Sequence, residues 1–413
     1  MDRREFLKTN ATLAAAAAVV GTLPSLPAAA QERRVSTRSH NQKQVSLLGF
    51  GCMRLPMKDG EVNMELTGEL FDYAIRHGVN YFDTAWPYLG GKSETATGTL
   101  LKKYPRESFY LADKCPTWLI DSPQDVDRIF AEQLKKCQVD YFDYYLVHSL
   151  DESRYANAVK HDIYGNLLKK KEEGKIRNLG FSFHDTPDVL EKILDNHKWD
   201  FVQLQINYVD WTLQNAKRQY ELAVKHNLPV IVMEPLRGGN LAVLNENAVK
   251  VLKTADPNAP AASWGLRYVA SLPNVLTVLS GMNVMDHLKE NVNALTDFRA
   301  LTDKERETLE RARQIYMSAG AIPCTGCDYC KDCPMGIPIS AMFATYNTYK
   351  TTDENRRNNV FKRGYDLATP SGNTPDKCIE CGLCEQHCPQ HLPIREKLKE
   401  IAALYQKISQ DQA

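Results

Sequence analysis

The chain lacks an excess of either charge. Its 51 Lys and Arg balance 51 Asp and Glu over 413 residues. Nothing therefore predicts a basic groove for nucleic acid or a broad membrane-binding face. The apolar run Ala11–Leu23, interrupted after it by Pro24 and Pro27, is too short to span a bilayer comfortably. No GxGxxG motif follows the first β-rich run, which argues against a dinucleotide-binding open sheet. No flavin signature stands out either. A disulfide framework is also disfavoured. Cysteines three apart make strained bridges, and Cys52, Cys115 and Cys137 are scattered singly, as core thiols are. Apolar content is ordinary, and the length allows one large domain plus a small one.

What is present is a concentration of sulfur near the C-terminus. Eight of the 11 cysteines form two motifs, Cys324-x2-Cys327-x2-Cys330-x2-Cys333-Pro334 and Cys378-x2-Cys381-x2-Cys384-x3-Cys388-Pro389. The second is the spacing of bacterial ferredoxins, and the first differs by one residue in its last gap. Three thiolates spaced by two residues can hold one corner of an iron–sulfur cube. The fourth, followed by Pro, usually serves the neighbouring cube. Eight cysteines thus predict two [4Fe–4S] clusters. Zinc held by four thiolates is the alternative, but zinc sites seldom add a third Cys at so short a spacing. More than forty residues separate the motifs. That suits a helical module, with a helix over 338–350, a polar loop over 351–359 and a final amphipathic helix over 393–408.

The N-terminus reads as a targeting segment. Arg3-Arg4 precedes Phe6-Leu7-Lys8 and a weakly hydrophobic Ala-rich stretch, and Ala28-Ala29-Ala30 offers small residues for cleavage. This resembles a twin-arginine signal, which would imply export of the folded protein to the periplasm through the twin-arginine translocase. An ordinary secretory signal or an uncleaved anchor, which would leave the protein membrane-associated, is the alternative. The signal is expected over 1–30 and a polar linker over 31–44.

From Val45 to about Leu301 a β-rich run alternates with an amphipathic helical stretch. Eight such runs occur: 47–52, 79–83, 109–114, 144–148, 178–182, 201–205, 229–233 and 276–280. Several helical stretches close on His-Gly, Glu-Gly or His-Asn, a helix-stop pattern. Eight strand–helix cycles predict an α/β fold of the (β/α)8 TIM-barrel class over 45–315, followed by a small, mainly helical ferredoxin-like domain over 316–413. A doubly wound sheet is the alternative, disfavoured by the count and the near-equal spacing. Asp83, Lys114, His148 and Ser182 each close a predicted strand. In a barrel such strand ends converge on one mouth, where active sites are built.

The segment Gly78-Val79-Asn80-Tyr81-Phe82-Asp83-Thr84-Ala85-Trp86-Pro87-Tyr88, with Ser93-Glu94 beyond it, resembles the aldo-keto reductase family. The resemblance implies a catalytic tetrad of Asp83, Tyr88, Lys114 and His148. Carbonyl reduction needs a proton for the oxygen, and a free Tyr titrates near pH 10. A neighbouring Lys114 ammonium would stabilise the phenolate and lower that value. Asp83 would hold Lys114, and His148 would orient the carbonyl. The same resemblance implies a nicotinamide site, NAD or NADP, with departures. Ser182 matches, but the family's following Asn is Phe183. Gln203 matches on the sixth strand. Met233 stands where an aromatic usually stacks on the ring. After the eighth strand Gly281, His287 and Asn291 have the family's spacing. The usual cations for a 2′-phosphate would fall at Gly281 and His287, and neither is a fixed cation. Arg237 is a candidate substitute.

Barrel and cysteine tail together resemble a bacterial group of iron–sulfur oxidoreductases. The expected function is an exported oxidoreductase interconverting a carbonyl and an alcohol on a small substrate, sugars included. Its two clusters would exchange electrons with a partner protein or a membrane carrier. Two alternatives stay open. One is an electron-transfer protein whose barrel binds a ligand without nicotinamide chemistry. The other is a cysteine module that mainly staples the C-terminal region.

Overall fold

The computed structural model describes residues 33–352 and 354–411. The predicted signal over 1–30 lies outside them. Among the described residues no helix is long and apolar enough to cross a membrane.

All eight predicted runs are strands. They are β3 (Leu48–Gly51), β6 (Tyr81–Asp83), β7 (Tyr110–Cys115), β8 (Phe142–Leu150), β9 (Ile176–Phe183), β10 (Phe201–Gln205), β11 (Val230–Met233) and β12 (Val275–Ser280). Each pairs in parallel with the next, and β12 pairs with β3, so the sheet closes. The helix-stop residues behave as expected. Gly78, Gly174 and Asn227 all adopt the left-handed conformation that ends a helix. The segment read as a linker departs from that reading. From Thr37 it forms a hairpin, β1 (Thr37–His40) and β2 (Lys43–Ser46), turning at Asn41 and Gln42. Both turn residues have positive φ, as a two-residue hairpin requires. Val45 of this hairpin is fully buried and joins the cluster that fills the barrel interior. A second small hairpin, β4 (Met57–Lys58) with β5 (Glu61–Val62), follows β3.

The interior explains how the site residues come together. Side chains of a strand alternate between its faces, so every second residue points inward. Tyr81, Ala112, Tyr144, Leu146, Phe201 and Ile231 pack in the centre. Two positions beyond a member of that set lie Asp83, Lys114, His148, Gln203 and Met233. The same step that fills the core therefore carries these five to the C-terminal rim. Gly180, two before Ser182, leaves room for Phe201: an added Cβ would lie 2.6 Å from the Phe201 carbonyl oxygen.

The helix Asp303–Ser318 opens on a Thr302–Glu305 capping box. Leu309 and Ala312 pack it against Leu252 and Trp264 on the barrel's flank. The module beyond has its own core, with Met342, Phe343, Phe361, Leu398 and Ile401 at its centre. The helix expected over 338–350 spans Ile339–Thr351, and the final helix spans Ile394–Asp411. The polar loop expected over 351–359 is a correction. A helix, Glu354–Ala368, begins within it, because Phe361 and Tyr365, one turn apart, supply a buried stripe among charged neighbours.

Candidate active site

Lys114 and Asp83 form a buried pair at the barrel rim. Lys114 Nζ donates to Asp83 Oδ1 at 2.6 Å and to the Thr84 carbonyl at 2.7 Å. The backbone of Lys114 is pinned on both sides. Its N–H donates to Asp113 Oδ1, and its carbonyl accepts from Gln133 Nε2. The ammonium stands 4.9 Å from the centre of the Tyr88 ring. The Tyr88 ring meets His148 edge-on, with centroids 6.2 Å apart. The four expected residues are thus brought together, and Asp83, Tyr88 and His148 face one cavity.

The electrostatics correct one expectation. Burial pushes the Tyr88 phenol well above its usual range, and Asp83 pushes the same way. The expected lowering by Lys114 does not prevail, because burial outweighs it. A phenol in this position stays protonated. His148 is driven well below its usual range by burial, then by the charges of Lys114 and Arg154. Its imidazole is neutral, and its buried Nδ1 has no hydrogen-bond partner. Burial raises the Asp83 carboxyl above its usual range, and Lys114 offsets only part of that rise.

The residues assigned to a nicotinamide separate into groups. Ser182, Gln203, Met233 and Gly281 line the same cavity. Ser182 Oγ accepts from the Ser149 N–H, and Gln203 Nε2 lies 3.5 Å from Met233 Sδ. Asn291 is buried beneath, donating to Ser280 Oγ. His287 is exposed on the helix Met285–Leu295 and does not line the cavity. Arg237 is not available as a phosphate clasp. It is 2% exposed, and its Nε donates to both Asp210 carboxylate oxygens at 2.9 and 3.0 Å.

The other wall of the cavity comes from the cysteine module: Thr325, Cys327, Tyr329, Pro389 and Gln390. Sequence reasoning did not place these residues here, nor Arg54, His184, Gln205 and Glu234 around them. Cys327 also borders a second void, lined by Cys324, Cys330 and Cys388 and closed by Ile339, Phe343, Leu392 and Ile394. Three thiols of the first motif and the last of the second thus surround one apolar-walled space. Cys384 lies within electrostatic reach of Cys378 and of Cys333, the last of the first motif. This crossed grouping fits the usual pattern in which the fourth Cys of each motif serves the neighbouring cube. Among the described residues no three His, Cys, Asp or Glu side chains converge as a single-ion site. The donor set suits clusters with a dry shell.

A closed parallel barrel with titratable groups at its rim, joined to a cysteine-rich module, defines a class: iron–sulfur oxidoreductases built on a TIM barrel. The comparisons agree. The model of the aldo/keto reductase family matches residues 47–314, and that of a 4Fe-4S dicluster domain matches residues 323–392. The chain belongs to the aldo/keto reductase family and is an oxidoreductase carrying a ferredoxin-type domain. "Probable aldo-keto reductase 1" of Glycine max is 30% identical over 205 residues, 48% of this chain and 57% of that protein. L-galactose dehydrogenase of Arabidopsis thaliana is 27% identical over 66% of this chain and 91% of its own length. NADH-specific methylglyoxal reductase of Escherichia coli K12 is 25% identical over 61% and 90%. The aldo-keto reductase AKR11C1 of Bacillus halodurans in its holo form superposes with a TM-score of 0.58 at 24% identity, over 68% of this chain and 96% of that one. That likeness bears on the fold alone.

Proposed function

We propose that this protein is an exported iron–sulfur oxidoreductase that interconverts a carbonyl and an alcohol on a small substrate, with Tyr88 as the proton donor and acceptor. The observation that carries the reading is the convergence of Tyr88, His148 and the Lys114–Asp83 pair at one cavity. Reduction of a carbonyl to an alcohol takes two electrons and two protons. The two electrons would come one at a time from a one-electron carrier by way of the clusters, and the proton for the carbon would come from solvent. Tyr88, kept protonated by burial, gives the proton that the oxygen takes. The Lys114 ammonium steadies the phenolate left behind, and Asp83 fixes the ammonium. Neutral His148 has one N–H with which to hold the oxygen. Cys324, Cys327, Cys330 and Cys388 would hold one [4Fe–4S] cluster, and Cys333, Cys378, Cys381 and Cys384 a second. Such clusters supply electrons singly when bound, so the exchange partner is a one-electron carrier. Two curated relatives are named for a sugar and for a small ketoaldehyde, which supports the substrate class. The paired arginines near the N-terminus support export of the folded protein.

A second reading, electron transfer without carbonyl chemistry, is favoured by one observation: the module covers the barrel mouth. Turnover separates the two. Anaerobically purified protein should hold about eight irons and reduce members of a panel of small carbonyl compounds with a reduced one-electron dye. Tyr88→Phe should lower that rate by about 10²–10⁴-fold, the usual worth of a positioned acid, with iron content unchanged. A rate within a few-fold of the parent sinks the assignment of Tyr88.

A further inference from the structure

The cavity wall opposite the barrel rim is held in place by a dense set of contacts. Gln390, 7% exposed, is bound on every side. Its Oε1 accepts from Gln205 Nε2 at 2.9 Å, Gln214 Nε2 at 3.0 Å and Arg237 Nη2 at 3.3 Å. Its Nε2 donates to Gln205 Oε1 at 2.9 Å. Gln205 and Arg237 share Asp210, so the amide is locked into a charged, buried network. Arg54 is paired with Glu234 and donates to the Thr325 carbonyl at 3.2 Å. Asn240 donates to the Cys324 carbonyl. The Thr325 carbonyl presses on Gly238 so closely that an added Cβ would lie 1.7 Å from its oxygen. Backbone-to-backbone contact of this kind leaves no space for a third group.

The barrel residues facing this wall are Ser182, Gln203, Met233 and Gly281, four of the six that the family resemblance assigns to the nucleotide. The cavity between them and the module has about 80 Å³ of free space. Sites that take a drug-sized ligand enclose about 300–1,000 Å³, and a dinucleotide is larger than most such ligands. The cations near the cavity are already engaged: Arg237 with Asp210 and Gln390, and Arg54 with Glu234 and the Thr325 carbonyl.

We infer that the cysteine module stands permanently in the place of the dinucleotide, with Thr325 and Gln390 filling the nicotinamide end, so that this barrel takes no exchangeable NAD(H) or NADP(H). The residues Ser182, Gln203 and Met233 then wall a small chamber that Cys327 shares with the cluster void. The inference does not depend on what Tyr88 does.

The test uses full-length, iron-replete protein purified without oxygen. Nucleotide released on denaturation is measured, and NAD⁺, NADH, NADP⁺ and NADPH are titrated by equilibrium dialysis up to about 1 mM, the upper end of ordinary KM values. The expected result is neither co-purified nucleotide nor saturable binding. One nucleotide per chain, by either route, overturns the inference. Hydrogen exchange on the same sample reads permanence. Residues 388–392 should be protected to within about tenfold of β10, as parts of one cooperative unit are. Exchange at a loop-like rate would mean that the segment opens, and would also overturn it. The Tyr88→Phe turnover assay decides the carbonyl reading separately.

Discussion

Lys114→Met keeps the stem of the side chain and deletes its charge. Asp83 would be left with a buried carboxylate and no donor, since its Oδ2 already has none. The two side chains are 0% and 3% exposed, so solvent screening does little to soften the loss. Removing one partner of a buried pair costs about 3–5 kcal/mol. At about 2–4 °C per kcal/mol for a large domain, the melting point should fall by about 6–20 °C. The variant should also recover part of the loss on acidification. Burial already holds the folded-state pKa of Asp83 above its unfolded value, and without Lys114 it rises further. The folded state then binds more protons than the unfolded one between those two values. Stability therefore rises as pH falls through the folded value. The double variant Asp83→Asn/Lys114→Met removes both charges and should cost clearly less than Lys114→Met alone. The assay is anaerobic thermal and urea unfolding of parent, both singles and the double, followed by circular dichroism. A cost below about 1 kcal/mol for Lys114→Met, or simple additivity in the double variant, would refute a coupled buried pair.

Two further outcomes follow from the same geometry. His148 is 3% exposed, and its folded pKa is lowered. Below about pH 6.5 the unfolded chain therefore binds a proton that the folded chain refuses, and stability is lost at about 1.4 kcal/mol per pH unit as pH falls. His184, lowered to about 3 by burial, acts in the same direction. His148→Gln should flatten the acid limb of the stability profile between pH 6.5 and 5 by about 2 kcal/mol, read by urea midpoints, and an unchanged slope would contradict the burial argument. Gly238→Ala places a Cβ on the Thr325 carbonyl at a left-handed position, φ +66°, which by itself costs about 1–2 kcal/mol. Hydrogen exchange over residues 323–330 should rise at least about tenfold, and unchanged protection would show that this contact does not hold the module.

The barrel was legible because its signals are local and repeated. Each strand is a short β-rich run, and each of Asp83, Lys114, His148 and Gln203 stands one inward step beyond a core residue. Errors arose where local composition misled. The charged stretch 354–360 masked a helix whose buried stripe begins only at Phe361. Arg237 read as a free cation because its partner Asp210 lies 27 residues away. Lys114 was expected to depress Tyr88, but sequence carries no measure of how deeply the phenol is buried. Gln390 left no signal at all. Its partner Gln205 is 185 positions upstream, and no pattern in either segment announces the pairing.

That separation has a consequence for biogenesis. Every strand of the barrel is made before Gln390, and pairings across long sequence intervals form late because the chain must close a large loop first. The barrel can therefore complete its hydrogen-bonded ring while its rim is still bare. Thr325, Cys327 and Tyr329 cover part of the rim, and Pro389 and Gln390 complete the cover, so the segment that completes the wall is the one that brings the fourth thiol to the cluster void. Completion of the four-thiol set and completion of the chamber wall therefore rest on the same few residues.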